Sequence, residues 1–83
     1  MVYPNPSNSN VNIDYNLSVQ SSVQIDIYNL MGKLITQSVN LNQMSGYFHS
    51  EFDLSDPSNT NGIYYIKLSY KDKVVISKFI LAK

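Results

Sequence analysis

Ile63-Tyr64-Tyr65-Ile66-Lys67-Leu68-Ser69-Tyr70, then Lys71-Asp72-Lys73, then Val74-Val75-Ile76-Ser77-Lys78-Phe79-Ile80-Leu81: this closing stretch decides the fold. Residues 63–70 are dense in aromatic and β-branched side chains, which suit the pleated, half-buried surface of a strand. Tyr64, Ile66 and Leu68 recur at a period of two and so share one face. The charged triplet 71–73 turns the chain, and the apolar run 74–81 returns as the second arm of a hairpin.

Outward from this hairpin the same period repeats. Ser55-Asp56-Pro57-Ser58-Asn59-Thr60-Asn61-Gly62 concentrates turn formers and reads as a surface loop. Before it, Phe48, Ser50, Phe52 and Leu54 alternate with Tyr47, His49, Glu51 and Asp53, a strand with one wet side. Residues 41–46 read as a loop. Residues 23–28 and 34–39 form a hairpin around Asn29-Leu30-Met31-Gly32-Lys33, where Gly32 supplies the positive φ of a tight turn. Val11, Ile13, Tyr15 and Leu17 alternate with Asn12, Asp14 and Asn16, which predicts a strand over residues 11–17. Pro4 and Pro6 keep the opening extended, so residues 1–10 are expected to be a linker leading into a domain over residues 11–83. No apolar i, i+3, i+4, i+7 pattern lasts the ~11 residues that argue a helix. Six or so short strands with hairpin connections predict an all-β, antiparallel sandwich.

Eighty-three residues hold one hydrophobic core and leave little room for a deep cleft, which argues against a large-substrate enzyme. Six Lys and no Arg are balanced by six acidic residues, so no Arg fork grips phosphate or guanine and nucleic acid is not the expected partner. Charged residues make up only 14%, and Asn and Ser supply a neutral polar surface instead. The chain has no Cys, which removes disulfides, thiolate nucleophiles and zinc-thiolate sites. The longest apolar stretch, residues 74–82, is far short of the ~20 residues of a membrane-spanning helix, and no basic and then apolar signal-peptide pattern opens the sequence; if the chain is exported, that signal must be encoded elsewhere.

The residues that carry chemistry elsewhere do not assemble into a catalytic pattern. His49, Glu51 and Asp53 share a strand face, yet a zinc site needs a fourth ligand and supporting hydrogen bonds that this spacing does not supply, so no metal or cofactor is expected. Serines are plentiful without a Gly-x-Ser-x-Gly elbow, and the acidic loop around Asp56 matches no calcium-binding spacing. Asn16-Leu17-Ser18 fits the glycosylation triplet but falls within a predicted strand. An alternative function is a carbohydrate-binding or adhesive module, in which outward tyrosines such as Tyr47 and Tyr65 stack on sugar rings; outward tyrosines also stabilise sheets by cross-strand pairing.

Four features recur in order: Tyr3-Pro4-Asn5-Pro6 at the opening, the Tyr28-Asn29-Leu30-Met31-Gly32 hairpin, Gly62-Ile63-Tyr64-Tyr65-Ile66 after a polar loop, and Val75-Ile76-Ser77-Lys78-Phe79-Ile80-Leu81 at the close. In this order the chain, from Tyr3 to Lys83, resembles the type A C-terminal sorting domains of type IX secretion (Por secretion) cargo proteins in Bacteroidetes. The resemblance implies a non-catalytic, immunoglobulin-like β-sandwich of about six to seven strands at the end of a larger secreted protein. It also implies two partners, an outer-membrane translocon that recognises the domain and a sortase-like peptidase that removes it near residues 1–3, and a final location in the medium or at the cell surface. By position, recognition by the translocon and peptidase falls on Pro4, Asn5 and Pro6, on Gly62 and Tyr64, and on Lys78, Phe79, Ile80 and Leu81.

Each of these also has a plain structural reading. Pro4-Asn5-Pro6 is a stiff segment that shields an edge strand, Gly62 a turn residue, Tyr64 a core aromatic beside Ile66 and Leu68. Residues 74–81 are either a core strand or a free-ended strand that a receptor reads by strand addition. Lys78 is expected to snorkel from a half-buried site or to pair with a carboxylate.

Overall fold

The computed structural model describes residues 2–3, 8–71 and 73–83. Seven strands appear among them: β1 (Val2–Tyr3), β2 (Asn10–Leu17), β3 (Ser21–Asn29), β4 (Leu34–Gln43), β5 (Gly46–Asp53), β6 (Gly62–Tyr70) and β7 (Lys73–Leu81). All pairings are antiparallel. One sheet has the order β1-β2-β5 and the other β4-β3-β6-β7, so β2 and β3, adjacent in sequence, part into different sheets. That arrangement is an immunoglobulin-like sandwich.

Period-two burial joins the two sheets. Val11, Ile13 and Leu17 of β2 with Phe52 of β5 face Val23, Ile25 and Ile27 of β3 and Tyr64, Ile66 and Leu68 of β6, and all are buried. Phe79 and Leu81 add the inward residues of β7, and Leu54, one residue past β5, caps the core. The Tyr64 and Phe79 rings, opposite each other in the β6–β7 register, stack with centroids 5.6 Å apart. The Tyr64 hydroxyl donates to the Thr60 carbonyl at 2.7 Å, tying the preceding loop to the core.

The turns follow their side chains. The Asn29 carboxamide accepts from the amides of Met31 at 3.0 Å and Lys33 at 2.9 Å, and Gly32 completes the reversal at φ 85°. Between β6 and β7, Lys71 takes φ 51°, the left-handed conformation that a two-residue hairpin requires. Asp53 and Asp56 each accept from the amide two residues on, Ser55 at 2.8 Å and Ser58 at 2.9 Å, which shapes the polar loop before β6.

Two features depart from the sequence reading. β4 continues to Gln43, so Leu41, Asn42 and Gln43, expected in a loop, are strand. A register shift between Ser21 and Val23 accommodates the extra length, fastened where the Ser22 hydroxyl donates to the Leu41 carbonyl at 2.6 Å and Gln20 donates to Asn42 at 2.7 Å. Val2 and Tyr3, in the opening segment, pair with Ile13 and Asn12 of β2.

Asp26 is the one buried charged residue among those described, 2% exposed although it points to the outer side of its sheet. Gln37 donates to it at 2.8 Å, Gln24 at 3.1 and 3.2 Å, and the Tyr28 hydroxyl at 3.3 Å. These donors replace the water that a buried carboxylate loses. Asp26→Asn turns an amide group toward the same donors and is expected to lower stability by about 1–3 kcal/mol. Urea denaturation of the purified domain checks this; an unchanged midpoint contradicts it.

Candidate functional site

The two closing strands divide the residues picked out by sequence between two sides. Phe79 and Leu81 point into the core with Tyr64, so these three hold the sandwich together. Gly62 stands opposite Leu81 at the start of β6. Its φ of 145° lies in the glycine-favoured region, while a Cβ there meets nothing within 4 Å, so backbone conformation rather than crowding selects glycine. Lys78 and Ile80 lie on the outer side, opposite Tyr65 and Ile63. Pro4, Asn5 and Pro6 lie outside the described residues.

β7 is an edge strand, paired with β6 and with no other strand among the described residues. Only its last part is buried. Val74, Val75 and Ile76 are exposed, Ile76 to 64%, so the first half of β7 shows apolar side chains on both faces. The expectation of a wholly core strand therefore holds for Phe79 and Leu81 alone. Lys78 is exposed rather than half-buried, and no carboxylate among the described residues lies within ion-pair reach of it.

Beside this strand the outer side of the four-stranded sheet forms a shallow groove of about 370 Å³, floored by Tyr28, Tyr65 and Lys67 and bounded by Leu30 and Ile76. Tyr28 and Tyr65 are register partners. Tyr47, 87% exposed, stands on the opposite side of the sandwich, on β5. Tyr47 and Tyr65 thus form no common platform for a sugar ring.

The three-stranded sheet carries a polar outer side. His49 Nδ1 lies 2.7 Å from Asp14 Oδ1, its register partner, and the Tyr3 hydroxyl donates to the same oxygen at 3.3 Å. His49 therefore engages Asp14 across the sheet rather than Glu51 or Asp53 along its own strand. No three His, Asp or Glu groups among the described residues come together as a metal site. Sequence alone hides this cluster, because Asp14 and His49 meet only through the β2–β5 register.

A family model described as a secretion system C-terminal sorting domain matches residues 1–82. The chain belongs to this family of type IX sorting domains. No curated protein sequence matches it. The family is one of secretion signals rather than enzymes, and it makes this sorting domain part of a secreted cargo protein handled by the type IX system. No helix among the described residues is long and apolar enough to cross a membrane.

Three carboxyls of the sorting domain are held below their ordinary value of 3.8. The hydrogen bond with His49 does this for Asp14, that with Ser55 for Asp53, and that with Ser58 for Asp56; desolvation opposes all three. A depressed carboxyl binds its proton more tightly in the unfolded chain, so its contribution is complete above the unfolded value and is lost as pH falls through the folded one. Stability is expected to decline as pH falls below that ordinary value, and Asp14→Asn to flatten part of the decline. Circular dichroism across an acid titration checks both; equal slopes for wild type and variant contradict the Asp14 assignment.

Proposed function

We propose that the sorting domain directs its cargo through the outer-membrane type IX translocon by presenting β7, and that a sortase-like peptidase then removes it on the amino-terminal side of β2. One observation carries this reading: β7 joins the core through Phe79 and Leu81 while Val74, Ile76 and Lys78 remain on the surface at a sheet edge. An edge strand is a template for pairing with another chain, and a folded domain can offer it without unfolding. Lys78 and Ile80 are the outward recognition residues in this scheme. Gly62, Tyr64, Phe79 and Leu81 act through the fold that holds β7 in place.

Pro4, Asn5 and Pro6 are proposed as the stiff connection between cargo and sandwich, so that the peptidase meets an extended chain rather than a packed one. The cargo is then released or left at the cell surface. Tyr47 and Tyr65, the pair weighed for stacking on a sugar ring, face opposite ways and give that alternative no shared platform.

The test is a fusion of an export signal peptide, a fluorescent protein and this chain, made in a type IX-competent host. Fluorescence is expected in the medium or at the cell surface, and a control lacking the chain is expected to stay in the periplasm. Intact fusion retained in the periplasm contradicts the proposal.

A further inference from the structure

The zero net charge conceals a separation of charge. Five of the six lysines, Lys33, Lys67, Lys71, Lys73 and Lys78, sit on the four-stranded sheet or its turns. The carboxylates of Asp14, Glu51 and Asp53 sit on the three-stranded sheet, and Asp56 in the loop after it. On the four-stranded sheet the described carboxylate is Asp26, buried and held by Gln24, Gln37 and Tyr28. Asp72 lies outside the described residues, whereas Lys67 and Lys78 stand on the strands themselves. Lys67 is opposite Asp26 in the register without reaching ion-pair distance, and Lys78 has no described carboxylate beside it. Exposed aliphatic residues, Val74 and Ile76, share that face with them.

We propose that this face docks an acidic protein strand: one that adds to the edge of β7 along residues 74–78, covers Val74 and Ile76 with aliphatic side chains and sets carboxylates against Lys78 and Lys67. The inference rests on the reading of β7 as the recognised strand and names the chemistry of its partner. Complementary charge fixes the register and speeds encounter, while the aliphatic contacts and ladder hydrogen bonds supply affinity. Two other occupants fit less well. An anionic lipid surface matches the lysines and aliphatics but offers no strand to extend the ladder along residues 74–78. The outer side of a second copy's three-stranded sheet offers Asp14 and Glu51, but His49 and Tyr3 already engage Asp14, and the exposed Tyr47 there sets an aromatic ring rather than aliphatic side chains against Val74 and Ile76.

Charge changes in the reporter fusion test the proposal. Lys78→Glu, a change at an exposed position, is expected to reduce export about tenfold, as like charges brought together oppose docking. Lys67→Gln, which removes charge without setting a second carboxylate against Asp26, is expected to have a smaller effect that adds to it. Lys78→Arg is expected to stay within about twofold of wild type, and all variants to melt as wild type does. The sorting reading itself is judged by the unmodified fusion, whereas wild-type export of the Lys78→Glu fusion overturns this inference and the recognition role given to Lys78. Two further outcomes also overturn it. Co-sedimentation of the purified domain with phosphatidylglycerol vesicles, lost in Lys78→Glu, assigns the face to lipid. A concentration-dependent dimer lost in the same variant, seen by analytical ultracentrifugation, assigns it to a second copy.

Discussion

Pairing of β7 with β6 is the constraint on which the rest depends. That register places Phe79 on Tyr64 and Leu81 beside Gly62, closing one end of a core drawn from five strands. The core is small, as it must be in a chain of this length, so the two inward residues of the last strand are a large part of what separates the folded state from the unfolded one. Removing a buried Phe of this kind costs about 3–5 kcal/mol, comparable with the whole stability of many small domains. Among the described residues no strand pairs with the other side of β7.

Structure and signal are therefore combined in one strand. Inward side chains belong to the fold and outward ones to recognition, an assignment that the period of two makes possible. Edge strands are usually blunted by charge, bulges or cover. β4, the opposite edge of this sheet, carries two register shifts; β7 pairs with β6 without one and leaves Val74, Val75 and Ile76 uncovered. The contrast between the two edges of one sheet is what singles out β7.

Much of this was legible in the order of residues, for identifiable reasons. β2, β5, β6 and the inward half of β7 alternate strongly, and a half-buried strand leaves that trace. β4 was legible only to Val39, because it buries none of its residues fully, and Asn40 and Asn42 are residue types that strands disfavour. The two-residue strand β1 is too short to show a period. Which strands lie at the edges, and that Asp14 meets His49, depend on pairings between residues far apart in sequence, which local patterns do not encode. Asp26 alternates like any outward residue; its burial comes from Gln24, Tyr28 and Gln37 closing over it, two of them on its own strand and one on the next. The lysines gave no signal as a sum, since their separation from the carboxylates appears only once the sheets are assigned.

The most direct test of the central claim changes the outer side of β7 and leaves its inner side alone. Val74→Thr with Ile76→Thr keeps strand propensity and touches no core residue, so stability should stay within about 0.5 kcal/mol per site. Export of the fusion and thermal unfolding of the purified domain are measured on the same variant. Export reduced about tenfold at unchanged melting temperature, equivalent to roughly 1.4 kcal/mol of lost docking, is the predicted result. Export equal to wild type contradicts the claim that the exposed side of β7 is what the secretion machinery reads.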